Sequence, residues 1–158
     1  MSPTMWDRHD RTMWLRLGLV LVIAAGCGTL RVDIAGEAMA PTLRNGESAL
    51  ATRTFDQLTR GDIVAFRYPK DESKNFVKRI IGVPGDLIES SNGSIQVDGR
   101  PLVEPYVAET NRSLDTWGPV TVPDGQYFMM GDNRRNSSDS RSWGLVHREA
   151  IWAKVLLR

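Results

Sequence analysis

The chain has 158 residues, 20 of them basic and 19 acidic, which gives a net charge of +1, and 41% are hydrophobic. This length suits one domain with a buried core, and the balanced charge does not suggest a nucleic-acid-binding protein. The single cysteine, Cys27, excludes an internal disulfide, and two distant histidines do not suggest a metal site. We therefore expect neither a metal nor a cofactor.

Residues 17–30 carry no charge and follow three arginines. As a helix this run spans about 21 Å, less than the roughly 30 Å of a bilayer core, unless residues 13–15 extend it while Arg16 reaches the head groups. The pattern predicts one short membrane helix with the basic N-terminus in the cytoplasm. Residues 1–30 would then be tail and anchor, and residues 31–158 would form the domain outside the membrane.

Two other interpretations of this run stay open. One is a buried core helix. The other is a cleaved signal peptide, because "IAAGC" resembles a lipoprotein cleavage box with Cys27 as the lipid acceptor. Such boxes prefer a larger aliphatic residue where this chain has Ala24. With an anchor or with a lipid, the remaining chain lies at a membrane surface.

After the apolar run, short stretches rich in β-branched and aromatic residues alternate with turn signals. The predicted strands are 47–54 (ESALATRT), 61–69 (GDIVAFRYP), 76–83 (FVKRIIGV) and 125–133 (GQYFMMGDN), with 148–158 (REAIWAKVLLR) as a strand or a short helix. Few stretches after residue 31 have a helical period. The sequence therefore predicts a mostly β fold of antiparallel sheets, arranged as a barrel or sandwich.

The part between these strands is less regular. Asn92-Gly93 and Asp98-Gly99 are pairs that favour tight hairpin turns. Residues 103–120 are polar and contain two prolines, which indicates an excursion from the main sheet or a flexible loop over it. We place a small hairpin and loop excursion around residues 87–120.

Four segments occur in a distinctive order: GEAMAPTLRNGE (36–47), RGDIVAFRYP (60–69), FVKRIIGVPGD (76–86) and VPDGQYFMMGDNRRNSSDSRSWGLV (122–146). Their order and wording resemble the bacterial type I signal peptidases, membrane proteases that use a serine and a lysine. The resemblance covers residues 32–158 and implies the barrel or sandwich of that family.

The resemblance also implies roles for individual residues. The family's Ser-Met-x-Pro-Thr-Leu pattern starts here at Ala38, so alanine occupies the position of the nucleophilic serine. Lys78 corresponds to the general-base lysine, and Ser137 to a serine that supports it. Asp139 and Arg141 match the acidic and basic residues that brace the loop around that serine.

The chemistry of such a pair can be argued from the residues. A serine hydroxyl needs an adjacent base, and a lysine can act as that base only when it is neutral. Burial favours the neutral amine, and Lys78 lies among apolar residues, with Phe76 and Val77 before it. On a strand, Arg79 would point to the other side. An ordinary surface lysine is the alternative when this segment is considered alone.

Acyl transfer also needs hydrogen-bond donors for the oxyanion. The backbone N–H of Ala38 is the natural first donor. Some family members use a serine hydroxyl two residues earlier as the second donor, and this chain has Gly36 there. The second donor is therefore left to the backbone or to water.

The resemblance implies that the substrates are extended signal-peptide ends with small residues at the first and third positions before the cut. Such a peptide would add as a strand between residues 32–38 and residues 76–78. The candidate substrate-binding residues are Val32, Ile34, Met39, Phe76 and Val77. Core packing is an equal alternative for Met39 and for Leu43.

The predicted partners are signal peptides of exported preproteins and membrane lipid, and no nucleic acid. The predicted location is the bacterial cytoplasmic membrane, with a single span and the catalytic domain on the extracytoplasmic side. The sequence leaves the oligomeric state open. A self-cleaving repressor, which uses related serine and lysine chemistry, would need a DNA-binding region where this chain has an apolar run.

Ala38 has two explanations. In the first, which the retained Lys78, Ser137, Asp139 and Arg141 favour, the serine of an active endopeptidase has been replaced, since a buried lysine without a task carries a desolvation cost. In the second, the alanine is natural and the protein is a non-catalytic module that binds signal peptides. A methyl group cannot attack a carbonyl, so the chain as written is inactive in both cases.

Overall fold

The computed structural model describes residues 28–156, which form two antiparallel sheets. The strands are β1 (Thr29–Asp33), β2 (Ser48–Thr52), β3 (Ile63–Tyr68), β4 (Asp71–Gly82), β5 (Leu87–Ser91), β6 (Ser94–Val97), β7 (Arg100–Pro101), β8 (Trp117–Thr121), β9 (Gln126–Met130), β10 (Val146–His147) and β11 (Ile151–Val155). This range also contains one short helix, α1 (Ser140–Trp143), and 3-10 turns at Glu109–Asn111, Arg134–Asn136 and Arg148–Ala150.

The larger sheet has seven strands in the order β1-β2-β11-β3-β4-β9-β10. Its central strand β3 is buried along four consecutive residues, Ile63–Phe66, because both faces of the sheet are covered there. Alternation sends Ile63 and Ala65 into one apolar cluster and Val64 and Phe66 into another. Lys78 pairs with Val64, which places it at the centre of the sheet.

The smaller sheet has the order β7-β6-β5-β8. Its β5–β6 hairpin turns at Asn92-Gly93, where both residues have positive φ, +49° and +79°, as a tight two-residue turn requires. A third apolar cluster joins this sheet to β4 and β9 and consists of Ile81, Ile88, Ile95, Val122, Phe128 and Met130.

These sheets confirm the prediction of a mostly β, antiparallel fold. Within residues 148–158 the structure resolves the choice in favour of a strand, β11. Part of the predicted excursion at 103–120 is the strand β8, an edge strand, where Pro119 is tolerated because one side needs no ladder partner. The sequence pattern did not predict this strand because it contains a glycine and a proline.

The start of β1 at Thr29 corrects one boundary: the last two residues of the uncharged run 17–30 belong to the sheet and not to the predicted anchor. Residues 17–27 lie outside the described part of the chain. Within residues 28–156, no helix combines the length and the apolar character that crossing a membrane requires.

The third apolar cluster gives a test of how the two sheets are held together. Ile88 is fully buried in it, so Ile88→Ala should lower the free energy of unfolding by about 3 kcal/mol through lost contacts and a cavity. Val103 is 83% exposed, and Val103→Ala should change the free energy of unfolding by less than about 0.5 kcal/mol. Urea unfolding followed by circular dichroism measures both, and equal effects would contradict the assigned core.

Candidate active site

Ala38 lies half-buried in the connection between β1 and β2. The turn is closed by Leu43 N–H, which donates to the carbonyl of Met39 at 3.0 Å. The carbonyl of Ala38 accepts a hydrogen bond of 3.0 Å from the backbone N–H of Asn133. The predicted nucleophile position is therefore attached to the loop that follows β9.

Lys78 lies on β4 and is only 5% exposed. Its ammonium nitrogen is 5.4 Å from the centre of the Phe76 ring. Burial lowers the pKa of Lys78 to about 8; the negative charge of Asp139 opposes this shift and the positive charge of Arg141 adds to it. A substantial fraction of this amine is neutral at a mildly alkaline pH, as a general base requires.

Gly131 is the point where these segments approach one another. The register in which β4 pairs with β9, continued by one residue, sets Lys78 beside Gly131. A β-carbon on Gly131 would overlap both the hydroxyl oxygen of Ser137 and the carbonyl oxygen of Ala38. Only a residue without a side chain permits this approach. Ala38 and Ser137 therefore both approach the backbone of Gly131, which lies beside Lys78.

Ser137 follows the 3-10 turn at Arg134–Asn136, and its hydroxyl oxygen is buried. Within residues 28–156 this oxygen has no hydrogen-bond partner, and Lys78 is not within bonding geometry of it. A buried hydroxyl without a partner is costly, and such groups are concentrated at functional sites. The hydroxyl lies beside the backbone of Gly131.

The fully buried Asp139 and the half-buried Arg141 form an ion pair in the same loop. Arg141 donates to the two carboxylate oxygens of Asp139 through Nε and Nη2, each at 2.8 Å. The carboxylate also accepts the backbone N–H of Arg141, which caps α1, and the N–H of Gly131 at 3.2 Å. The pair therefore fixes the loop that carries Ser137 to the end of β9.

A second buried pair joins three segments. Asp132 is fully buried and accepts Arg79 Nε at 2.8 Å and Nη2 at 2.6 Å. The same carboxylate accepts the Thr42 hydroxyl at 2.5 Å. Arg79 lies on the opposite side of β4 from Lys78, as strand alternation predicts, yet it is buried as deeply as the lysine. This pair links the lysine strand, the Ala38 turn and the loop after β9.

Gly36 lies two residues before Ala38 and has φ of +87°, a conformation that side-chain-bearing residues rarely adopt. Its N–H donates to the Asn45 side-chain oxygen at 2.8 Å. Apart from Gly36 and its two chain neighbours, no residue of the described chain has an atom within 4 Å of where a β-carbon would be. The space beside the α-carbon of residue 36 is therefore open.

The candidate substrate-binding residues do not all lie together. Val32, Ile34 and Met39 are buried in one apolar cluster, and Val77 packs against that cluster. Phe76 belongs to the other cluster, where its ring stacks on Tyr68 at 4.5 Å between centres. Four of the five candidates therefore belong to one apolar core cluster or pack against it, and Phe76 lies near the lysine amine instead.

The comparisons with known proteins agree on one family. Residues 9–158 match the family described as "Signal peptidase, peptidase S26". The chain belongs to this signal peptidase family. A signal peptidase I of Bacillus amyloliquefaciens is 39% identical over 164 residues, covering 91% of this chain and 83% of that protein. A probable signal peptidase I-2 of Synechocystis is 38% identical, covering 92% of this chain and 72% of that protein.

A solved structure gives the same result for the fold. The crystal structure of a signal peptidase I from Enterococcus faecalis matches with a TM-score of 0.56 and 31% identity. The match covers 65% of this chain and 99% of that one. The two-sheet arrangement is therefore the signal peptidase fold.

Several site residues of this family member had no assigned role from the sequence. Gly131 and Asp132 lie inside the motif that revealed the family, and only the contacts explain them. Glu104 forms a buried pair with Arg134, at 2.9 and 2.5 Å. The adjacent arginines Arg134 and Arg135, which follow the buried strand β9, were the sequence signal for such a pair, since buried arginines need carboxylate partners.

The lowered pKa of Lys78 gives a stability test that needs no activity. The folded chain binds fewer protons than the unfolded chain between pH 8 and 10.5, so stability rises with pH in that window. Lys78→Met should raise the free energy of unfolding near pH 7 by about 2 to 3 kcal/mol and remove this rise. The exposed Lys70 provides the control Lys70→Met, which should leave the pH dependence intact. Unfolding by urea at pH 7, 9 and 10.5 measures both, and a gain from Lys78→Met that is the same at every pH would contradict the burial assigned to the amine.

Proposed function

We propose that this chain has the framework of a membrane-anchored serine endopeptidase that removes signal peptides from exported preproteins, and that Ala38 makes it inactive as written. The observation that carries the proposal is the buried Lys78, with its pKa near 8, on the strand beside Gly131. Gly131 in turn contacts both Ser137 and the Ala38 turn. Family membership supports the reaction class.

With serine at residue 38, its hydroxyl oxygen would attack the carbonyl carbon of the scissile peptide bond while the neutral amine of Lys78 takes the proton. The protonated amine then gives that proton to the nitrogen of the leaving peptide as the C–N bond breaks. Water attacks the resulting ester with Lys78 again as the base. The acid product leaves and the serine hydroxyl is restored.

Ser137 would direct the amine of Lys78, since its buried oxygen has no hydrogen-bond partner among residues 28–156 and is free to take one. Asp139 and Arg141 would support the loop and not touch the substrate. The backbone N–H of residue 38 would be one oxyanion donor. The open space beside Gly36 leaves room for water as the second.

The edge position of β1 supports a peptide substrate that binds as an added strand. β1 is terminal in the seven-stranded sheet, so one side of its backbone has no strand partner in the described chain. The partly buried Val77 would supply apolar surface for small side chains, while Val32, Ile34 and Met39 would support it from the core. Phe76 would shield the lysine. The apolar run before residue 28 would hold this domain on the outer side of the cytoplasmic membrane.

A second candidate function rests on Ala38 itself. If this alanine is natural, the same cleft would bind signal-peptide ends without cutting them. Replacing Ala38 with serine separates the two functions, because an enzyme that still has its general base should regain catalysis.

The direct test is Ala38→Ser in the full chain with a synthetic preprotein peptide. We expect cleavage after the small residue, and a loss on the order of 10⁶ in rate when Lys78→Ala is added. Mass spectrometry of the products identifies the cut. An Ala38→Ser protein that is folded and binds the peptide without cutting it would favour the binding module.

The pH profile of Ala38→Ser tests the role of the lysine separately. The amine must be neutral to act, so kcat/KM should fall about tenfold per pH unit below about 8 and level off above it. The midpoint lies below the ordinary pKa of a lysine because burial lowers the pKa of Lys78. Initial rates from pH 6 to 10 give the midpoint, and a profile that is flat down to pH 6 would exclude Lys78 as the base.

A further inference from the structure

The segment of residues 104–115, which connects β7 to β8, lies over the candidate site. Its 3-10 turn, Glu109–Asn111, packs against the 3-10 turn Arg134–Asn136 that precedes Ser137. The sequence predicted an excursion from the main sheet or a flexible loop over it. The contacts of the segment are instead specific and involve both loops of the site.

Both ends of the 104–115 segment are tied to the loop that carries Ser137. At one end, the Glu104 carboxylate receives two hydrogen bonds from Arg134, and both side chains are almost fully buried. At the other end, Asp115 accepts Arg141 Nη1 at 2.7 Å. Since these two arginines flank Ser137 in sequence, the segment is fixed relative to that serine.

The middle of the segment reaches the other half of the site. The side-chain amide of Asn111 donates to the carbonyl oxygen of Ala40 at 3.0 Å, in a partly buried position. Asn133 holds the same turn from the other loop, through Ala38 O at 3.0 Å and Glu37 O at 3.2 Å. The four successive carbonyls of residues 37–40 therefore all accept hydrogen bonds, and the donor to the carbonyl of Ala40 is Asn111.

We propose that Asn111 is a positioning residue that sets the orientation of residue 38 relative to Lys78 and Ser137. This inference rests on the proposed function. Attack by a hydroxyl depends on its placement to within a fraction of an ångström. The carbonyl of Ala40 lies two residues after the attacking position, so its hydrogen bond limits rotation of the turn. The 104–115 segment thus holds the turn that contains residue 38 in a fixed position relative to the loop that contains Ser137.

The activity test uses Ala38→Ser as the parent. Asn111→Ala should lower kcat roughly tenfold, with KM and the midpoint of the pH profile unchanged, because peptide binding and the surroundings of Lys78 are not altered. Asn111→Asp should lower kcat further, since a carboxylate cannot donate and repels the carbonyl. The neighbouring exposed Thr110 gives the matched control, and Thr110→Ala should keep the parent's kcat. An unchanged kcat in both Asn111 variants, or an equal loss in Thr110→Ala, would overturn the proposal.

A second measurement uses the chain with Ala38 and needs no catalysis. Asn111→Ala should raise backbone hydrogen exchange at least severalfold in residues 38–43, while exchange in β4 stays the same and Thr110→Ala has no effect. If Ala38→Ser proves inactive, the proposed function fails, and the exchange result still decides whether Asn111 holds the turn. Unchanged exchange in residues 38–43, or a general increase that includes β4, would refute a positioning role.

Discussion

The amine of Lys78 is removed from water at the centre of a seven-stranded sheet, and the rest of the site is arranged around that constraint. Burial disfavours its charged form, and Asp139 and Arg141 act on it with opposite signs. The register of β4 with β9 puts this residue beside Gly131. Because Gly131 has no side chain, the turn with Ala38 and the loop with Ser137 can both reach the same place.

Three arginines, two of them buried and the third half-buried, secure the loops around this amine, each with its own carboxylate. Arg79 binds Asp132, Arg134 binds Glu104, and Arg141 binds Asp139. Such pairs are expensive to desolvate and contribute little net stability, but removing one partner leaves a buried charge. We interpret them as devices that fix the loops in one arrangement. Each pair joins segments that are distant or would otherwise be irregular, which suits a site assembled from turns.

The sequence predicted the larger features because they depend on local patterns. Buried strands such as Ile63–Phe66 have continuous β-branched or apolar residues, and Asn92-Gly93 marks its own turn. The burial of Lys78 was predicted from its apolar neighbours only in combination with the other three motif segments, since this segment alone fits an ordinary surface lysine. The strand at Trp117–Thr121 was hidden because Gly118 and Pro119 dilute its pattern, and only pairing with β5 makes it a strand.

The hydrogen bond of Asn111 to Ala40 and the Glu104–Arg134 pair could not be predicted in the same way. Their partners are 71 and 30 residues apart, and no local period in the chain encodes such contacts. Both partners of each contact are visible in the sequence as polar residues. Their meeting is a property of the topology, which places the segment between β7 and β8 over the site.

The terminal position of β1 has a consequence for the protein in solution. A strand with one unoccupied backbone edge can pair with any extended chain, including the same strand of another copy. Arg31 and Asp33 are exposed on β1 and hydrogen-bonded to each other at 3.2 Å. Charged side chains on an exposed edge strand are one of the means by which proteins limit pairing between copies, and Arg31 and Asp33 occupy such positions on β1.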